Sequence, residues 1–242
     1  IIKAINCNYI TYGFSKKSDL SVDSYSLNID YTNIVFRMNK EKFPLKTRLI
    51  GKFNIHNIMA AILASEKLGL KLNQIINALE NFNKVPGRFE QFKLTNDNHA
   101  IIDYAHTPDA FKNILSNIKN LTSKGIVTIF GCGGNRDKTK RSKMAAIAEQ
   151  YSDYIYITND NPRFEDENAI INDIVSGLTR ENYAIIKNRN KAIHQSLQNF
   201  NKKIIVILGK GRDDYQIIGN DKKYHSDIDI VKEYLDENWN KW

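Results

Sequence analysis

The sequence predicts an α/β protein in two parts: an antiparallel sheet with two helices, then a doubly wound, mostly parallel sheet. Three observations predict it. Residues 1–50 alternate apolar and polar positions in short segments, the period of half-buried strands. From about residue 98, short Ile- and Val-rich segments alternate with stretches of helical length, the pattern of consecutive βα units. Four of those apolar segments run into polar, charged or glycine residues, and in an open parallel sheet such loops all emerge at the carboxyl edge.

The elements follow in order. Strands are expected over 9–14, 24–30, 34–38 and 45–50. A helix over 54–68 (NIHNIMAAILASEKL) carries apolar residues at helical spacing and is stopped by Gly69. A second covers 72–82 (LNQIINALENF). Lys84-Val85-Pro86-Gly87-Arg88 is a turn signal and the candidate domain boundary. Beyond it, strands are expected over 99–103, 125–130, 154–158, 183–187 and 203–208. Helices are expected over 108–120, 140–151, 167–178, 190–200 and 226–238.

Composition removes several classes. With 42% hydrophobic and 26% charged residues spread along the chain, disorder is excluded. Twelve Gly and four Pro in 242 residues exclude collagen-like and low-complexity chains. No apolar run approaches the roughly 20 residues that span a bilayer, and the N-terminal stretch does not read as a signal peptide. Cys7 and Cys132, far apart, read as free thiols of a reducing, cytoplasmic compartment. The net charge of +8 is diffuse and lacks clustering with aromatics, so it suits anionic small molecules better than nucleic acid. The chain begins with Ile1 in strand-like sequence, which suggests a fragment.

The four loops carry the chemistry. They are Asp103-Tyr104-Ala105-His106-Thr107-Pro108, the run from Gly131 through Asp137, Asn159-Asp160-Asn161-Pro162-Arg163, and Gly209-Lys210-Gly211-Arg212-Asp213-Asp214. Each has a plain structural alternative. The glycines suit a tight turn, Asp160-Asn161-Pro162 could cap the helix at 167, and His106 could bond at a helix start. The basic run from Lys138 to Arg141 reads as a solvated helix face, and Cys132 as a small buried filler. Convergence of all four on one edge favours a site for a charged ligand with several groups.

The residues then match a family. GKFNIHN (51–57), PGRFE (86–90), DYAHTPDA (103–110), GCGGNRDKTKRSKMA (131–145), DNPRFEDENAIINDI (160–174) and GKGRDDYQIIG (209–219) occur in this order. Together they resemble the Mur ligases, and within them the enzymes that add meso-diaminopimelate in peptidoglycan synthesis. The resemblance implies that residues 1–90 are the last part of a central ATPase domain. Residues 91–242 would be a whole C-terminal, Rossmann-like domain. It implies an ATP- and Mg2+-dependent amide ligase acting on UDP-MurNAc-L-Ala-D-Glu (the UDP-MurNAc-dipeptide) through an acyl phosphate.

The same resemblance distributes roles. Asn54, Asn57, Arg88 and Asp103 would contact the nucleotide, with His106 beside them; amides, a carboxylate and a guanidinium suit an adenine edge, ribose hydroxyls and phosphate. Arg136, Asp160, Asn161, Arg163, Gly209 and Asp213 would contact diaminopimelate. Arg163 is the discriminating residue, because a guanidinium facing only an ammonium would be unpaired and repelled, which disfavours lysine. One departure stands out: Arg212 and Asp213 occupy positions where the family usually has His and Glu, and the shorter reach of Asp213 implies an ammonium contact that is looser or shifted toward a bridging water.

Other features are missing. There is no G-x-x-x-x-G-K-[ST] phosphate loop, no upstream magnesium-holding acids and no carbamylated-lysine region. The resemblance therefore assigns no catalytic residue and no metal ligand within the chain, which alone is not expected to hydrolyse ATP. The alternatives are a ligase adding lysine or another amino acid, or a non-catalytic homologue that binds amino acid or nucleotide.

Overall fold

A computed structural model describes residues 7–239; residues 1–6, expected to begin the β-rich part, and 240–242 lie outside the described residues. The chain divides into two compact units, Ile1–Lys84 and Val85–Trp242.

The first unit holds β1 (Tyr12–Gly13), β2 (Leu20–Leu27), β3 (Thr32–Met38), β4 (Glu41–Thr47), α1 (Lys52–Lys67) and α2 (Leu72–Asn81). β2, β3 and β4 form an antiparallel meander. β3 alternates strictly, with Thr32, Ile34, Phe36 and Met38 buried. Asn39 and Lys40, both at positive φ, make the two-residue turn into β4, where mirror-image turns match strand twist. Ile55, Ile58, Met59 and Ile62 of α1, at helical spacing, close the core over Leu20, Phe36 and Leu45. The helix ends as predicted at Gly69, whose φ of 91° few other residues adopt.

Two expectations fail here. β1 pairs parallel to β2, through Tyr12 opposite Leu20 and Gly13 opposite Ser21. So short a parallel pairing needs no helical crossover, because Asp19 Oδ2 accepts from Thr11 N and Oγ1 and clamps the loop between them. The strands expected at 24–30 and 45–50 also lie earlier in the chain, at β2 and β4. Pro44 and the polar EKFPLKT sequence disguise β4, which tolerates proline as an edge strand.

The second unit contains β5 (Glu90–Lys93), β6 (His99–Asp103), α3 (Pro108–Leu121), β7 (Gly125–Phe130), α4 (Thr139–Tyr151), β8 (Tyr154–Ile157) and α5 (Glu167–Val175). It continues through β9 (Tyr183–Ile185), α6 (Arg189–Gln198), β10 (Lys203–Leu208), β11 (Tyr215–Ile218), β12 (Asp221–Tyr224) and α7 (Asp227–Trp239). Six strands form a sheet of order β5-β6-β10-β7-β8-β9, parallel except for β5. Ala100, Val127, Ile205 and their same-face neighbours pack on Ala192, Ile193 and Leu197 of α6 and on Ile230 and Val231 of α7. On the other face, Phe130 meets Phe111 of α3 edge-on at 5.1 Å between centroids. The sheet is covered on both sides, as a parallel sheet of continuous apolar strands must be. Among the described residues no helix is long and apolar enough to cross a membrane.

Candidate functional site

β10 lies between β6 and β7, so the chain leaves β6, skips a place, and later returns to fill it. Loops on the two sides of such a switch point turn away from each other and leave a crevice. The loops after β6, β10, β7 and β8 are thus neighbours at the carboxyl edge, and the predicted convergence is present.

The loops after β7 and β8 are locked backbone to backbone. Gly134 N donates to Asn161 O at 2.9 Å. A Cβ at Gly134 would stand 1.9 Å from Pro162 O, so only glycine permits the approach. Arg163 sits at φ 54° and its Nη1 donates to Gly134 O at 3.0 Å and Asn161 O at 3.3 Å. Gly133 is approached by two arginine side chains: its Cβ would be 2.9 Å from Arg163 Nη1 and 3.6 Å from the aliphatic Cγ of Arg136. Arg136 itself is exposed.

Arg141, expected on a solvated face, is instead wholly buried. Its Nη1 reaches Glu165 Oε1 at 2.8 Å and Asp173 Oδ2 at 2.9 Å; its Nη2 reaches Glu165 Oε2 at 2.8 Å and Gly133 O at 3.1 Å. These bonds hold the Glu165 carboxyl well below the usual carboxylate range, with Lys138 adding to the effect. Asp160-Asn161-Pro162 does not cap the following helix; Asp166 does, accepting from Asn168 N. Cys132 is buried as expected, and burial pushes its thiol up to about 12.

The β11–β12 hairpin, which sequence patterning missed, packs as an extra ribbon on the loop after β8. Arg163 N donates to Ile217 O at 3.0 Å and Gly219 N to Arg163 O at 2.7 Å. Gln216 Nε2 donates to Asp160 O at 2.8 Å. Beneath them Lys210, only 1% exposed, donates to Tyr215 O at 2.6 Å and Asn161 Oδ1 at 3.1 Å, and lies 3.4 Å from Asp160 Oδ1. Burial pushes the Lys210 ammonium pKa down, and the Asp160 charge opposes it. Gly209, at φ 114°, stands against Asp160: a Cβ there would be 3.0 Å from Oδ2.

The residues assigned to the nucleotide divide between the units. In the first, Asn54 and Asn57 stand together near the start of α1, Asn57 Nδ2 donating to Asn54 Oδ1 at 3.1 Å and Asn54 Nδ2 to Ile50 O at 2.8 Å. In the second, the Arg88 guanidinium lies 4.6 Å from the centroid of Tyr104, whose carbonyl is 2.8 Å from Nδ1 of the exposed His106. Asp103 accepts from Phe89 N and Ala105 N, each at 2.8 Å, so both oxygens already hold the chain's own amides. Burial raises the Asp103 pKa, against those two bonds. A cavity of about 370 Å³ is lined by Val85, Gly87, Arg88, Tyr104, Arg212 and Asp213. It joins Arg88, assigned to the nucleotide, with Asp213, assigned to the amino acid.

Sequence reasoning missed three supporting groups. Lys210 sits in a run already singled out, but nothing in it signals burial. Arg141 lies in a basic stretch, and the signal that could have found it is its helical spacing to Met144, Ala145 and Ala148, which put it on the buried face of α4. Arg189, also wholly buried, donates to both Asp227 oxygens at 2.8 and 2.7 Å and to Leu208 O at 3.0 Å, where β10 ends. His225 Nε2 is 2.7 Å from Asp227 Oδ1.

The chain is similar to proteins of known sequence and structure. The Mur ligase glutamate ligase domain family matches residues 87–211, and the Mur ligase middle domain family matches residues 1–65. The chain belongs to the Mur ligase family. It is 38% identical over 227 residues to the UDP-N-acetylmuramoyl-L-alanyl-D-glutamate--2,6-diaminopimelate ligase of Bacillus cereus, covering 93% of this chain and 46% of the relative. The enzyme of the same name from Alkaliphilus oremlandii is 40% identical over 227 residues, covering 93% of this chain and 47% of the relative. A solved structure of a 2,6-diaminopimelate ligase of that name superposes with a TM-score of 0.69 at 29% identity, over 95% of this chain and 48% of that one. The MurF ligase of Thermotoga maritima in complex with ADP, 14% identical with a TM-score of 0.62 over 96% of this chain and 49% of that one, shares the fold. The chain spans about half the length of the curated relatives it matches.

The implied magnesium ion finds no matching donor set: among the described residues no three His, Cys, Asp or Glu side chains group to hold a metal. An anionic nucleotide fits better, since Arg88 and Arg212 line one cavity.

Proposed function

We propose that this chain serves an ATP-dependent ligase that joins meso-diaminopimelate to UDP-MurNAc-L-Ala-D-Glu in peptidoglycan synthesis. In this reading residues 1–90 are the last part of the ATP-binding central domain and 91–242 the C-terminal domain. ATP transfers its terminal phosphoryl group to the side-chain carboxylate of D-glutamate, giving ADP and an acyl phosphate. An amine of diaminopimelate attacks the acyl carbon, the C–N bond forms, the C–O bond to phosphate breaks, and the amine proton is lost.

One observation carries the substrate choice: Arg163 and Arg136 flank Gly133 on two locked loops. The Arg163 guanidinium, held on two loop carbonyls with the exposed Arg136 side chain nearby, suits a carboxylate, which diaminopimelate has at its far end and lysine lacks. Asp160, Asn161, Gly209 and Asp213 complete the amino-acid side; Asn54, Asn57, Arg88, Asp103 and His106 serve the nucleotide. In the native gene product, ADP should be released only with the UDP-MurNAc-dipeptide and meso-diaminopimelate, and slowly with L-lysine. Equal rates with the two amino acids would refute the role of Arg163.

A further inference from the structure

Asn161 is the one neutral polar side chain among the residues assigned to the amino acid, and an amide can present either end. Its orientation is decidable. Oδ1 accepts from Lys210 Nζ at 3.1 Å and from Ile217 N at 2.9 Å. An ammonium and a main-chain N–H are both donors without acceptor capacity, so the atom between them must be the oxygen. The planar amide then turns Nδ2 the other way. Among the described residues Nδ2 has no protein acceptor, and it is not an enclosed atom. The Asn161 carbonyl meanwhile accepts from Gly134 N and Arg163 Nη1, which fixes the residue beside the two arginines.

Lys210 has three donors and three acceptors around it: Asn161 Oδ1, Tyr215 O and Asp160 Oδ1. At 1% exposure it has no reach to a ligand. We propose that Lys210 is a positioning residue that turns the Asn161 amide so that Nδ2 donates to a carboxylate oxygen of the amino-acid substrate, alongside Arg163. Asn161 Nδ2, Arg163 and Arg136 then contribute only donors, which suits a carboxylate, and leave the ammonium to the acidic side chains Asp160 and Asp213. The inference rests on the amino-acid reading above for its ligand, but its internal half, Lys210 setting Asn161, does not.

Two measurements on the 242-residue chain test it. In the 1H–15N spectrum without ligand, the Asn161 side-chain amide pair, identified by its loss in Asn161→Ala, should move in Lys210→Met; an unmoved pair overturns the positioning role. By calorimetry, Lys210→Met should weaken meso-diaminopimelate binding roughly 10- to 100-fold. Asn161→Asp keeps an acceptor for Lys210 and Ile217 N but replaces the outward donor with an oxygen. It should melt like the wild type and lose binding at least as strongly; wild-type affinity would overturn the donor role, even if Lys210→Met did not fold. Adding Lys210→Met to Asn161→Ala should change affinity no further, whereas additive losses would mean that Lys210 acts through another group. Absence of meso-diaminopimelate binding by the wild type would defeat the substrate reading and the role of Nδ2, while the spectrum still decides whether Lys210 sets the amide.

Discussion

Arg141 and Arg189 are both wholly buried, yet their partners differ in exposure. Asp227, the partner of Arg189, is itself fully enclosed, so the pair is sealed. Arg141 faces Glu165 at 10% side-chain exposure and Asp173 at 43%, with Lys138 as a further cation on Glu165. Both forks also take a main-chain carbonyl of a site loop or strand end, Gly133 O for Arg141 and Leu208 O for Arg189. The comparison separates two ways of supporting a binding edge. A sealed pair sets where β10 ends and α7 begins, and is intolerant of change. A half-open network aligns the loops after β7 and β8, and has solvent to fall back on.

The largest effect should come from breaking the sealed pair. Asp227→Ala leaves the Arg189 charge enclosed without its carboxylate and should lower stability by about 3–5 kcal/mol, read by chemical denaturation. A loss no larger than that of an exposed pair would erase the distinction. Arg141→Met should cost about 2 kcal/mol, because Glu165 keeps Lys138 and Asn135 N. It should also weaken amino-acid binding by releasing Gly133 O; unchanged binding would confine Arg141 to stability.

The smallest effect belongs to Glu165→Gln, about 1 kcal/mol at neutral pH. Because Arg141 and then Lys138 depress the folded-state pKa of Glu165, its contribution is fully present above the unfolded value near 4.5 and is lost as pH falls through the depressed folded one. The stability gap between wild type and variant should therefore be flat above that value and close in acid. A gap that widens in acid would mean Glu165 is not stabilised as the carboxylate.

How much of this was legible depends on where the information lies. The five parallel strands and their helices declare themselves through runs such as GIVTIF and KIIVIL, buried on both faces of the sheet. The convergence of loops follows from strand direction alone. β5 and the β11–β12 hairpin were invisible, because EQFK, YQII and DKKY are four residues each and exist through pairing with partners already in place. Lys210 was unreadable for a related reason, and Arg141 was masked by its charge although Met144, Ala145 and Ala148 share its helix face. A charged residue is expected outside, and only three-dimensional placement of its acceptors reverses that. Asp103 shows a subtler gap, since the family resemblance implied a ribose contact and the structure adds two amides already bound to it.

The place of β10 has a consequence for how the second unit is made. This strand is paired on both sides, to β6 and β7, yet it follows them by many residues. During synthesis β6 through β9 emerge while the slot between β6 and β7 stands open, with unpaired edges on either side. The sheet cannot zip outward from its centre, and completion waits for the Lys203–Leu208 stretch to leave the ribosome and insert. A sheet lacking that strand would present two unpaired edges at once, the kind of edge on which foreign strands add.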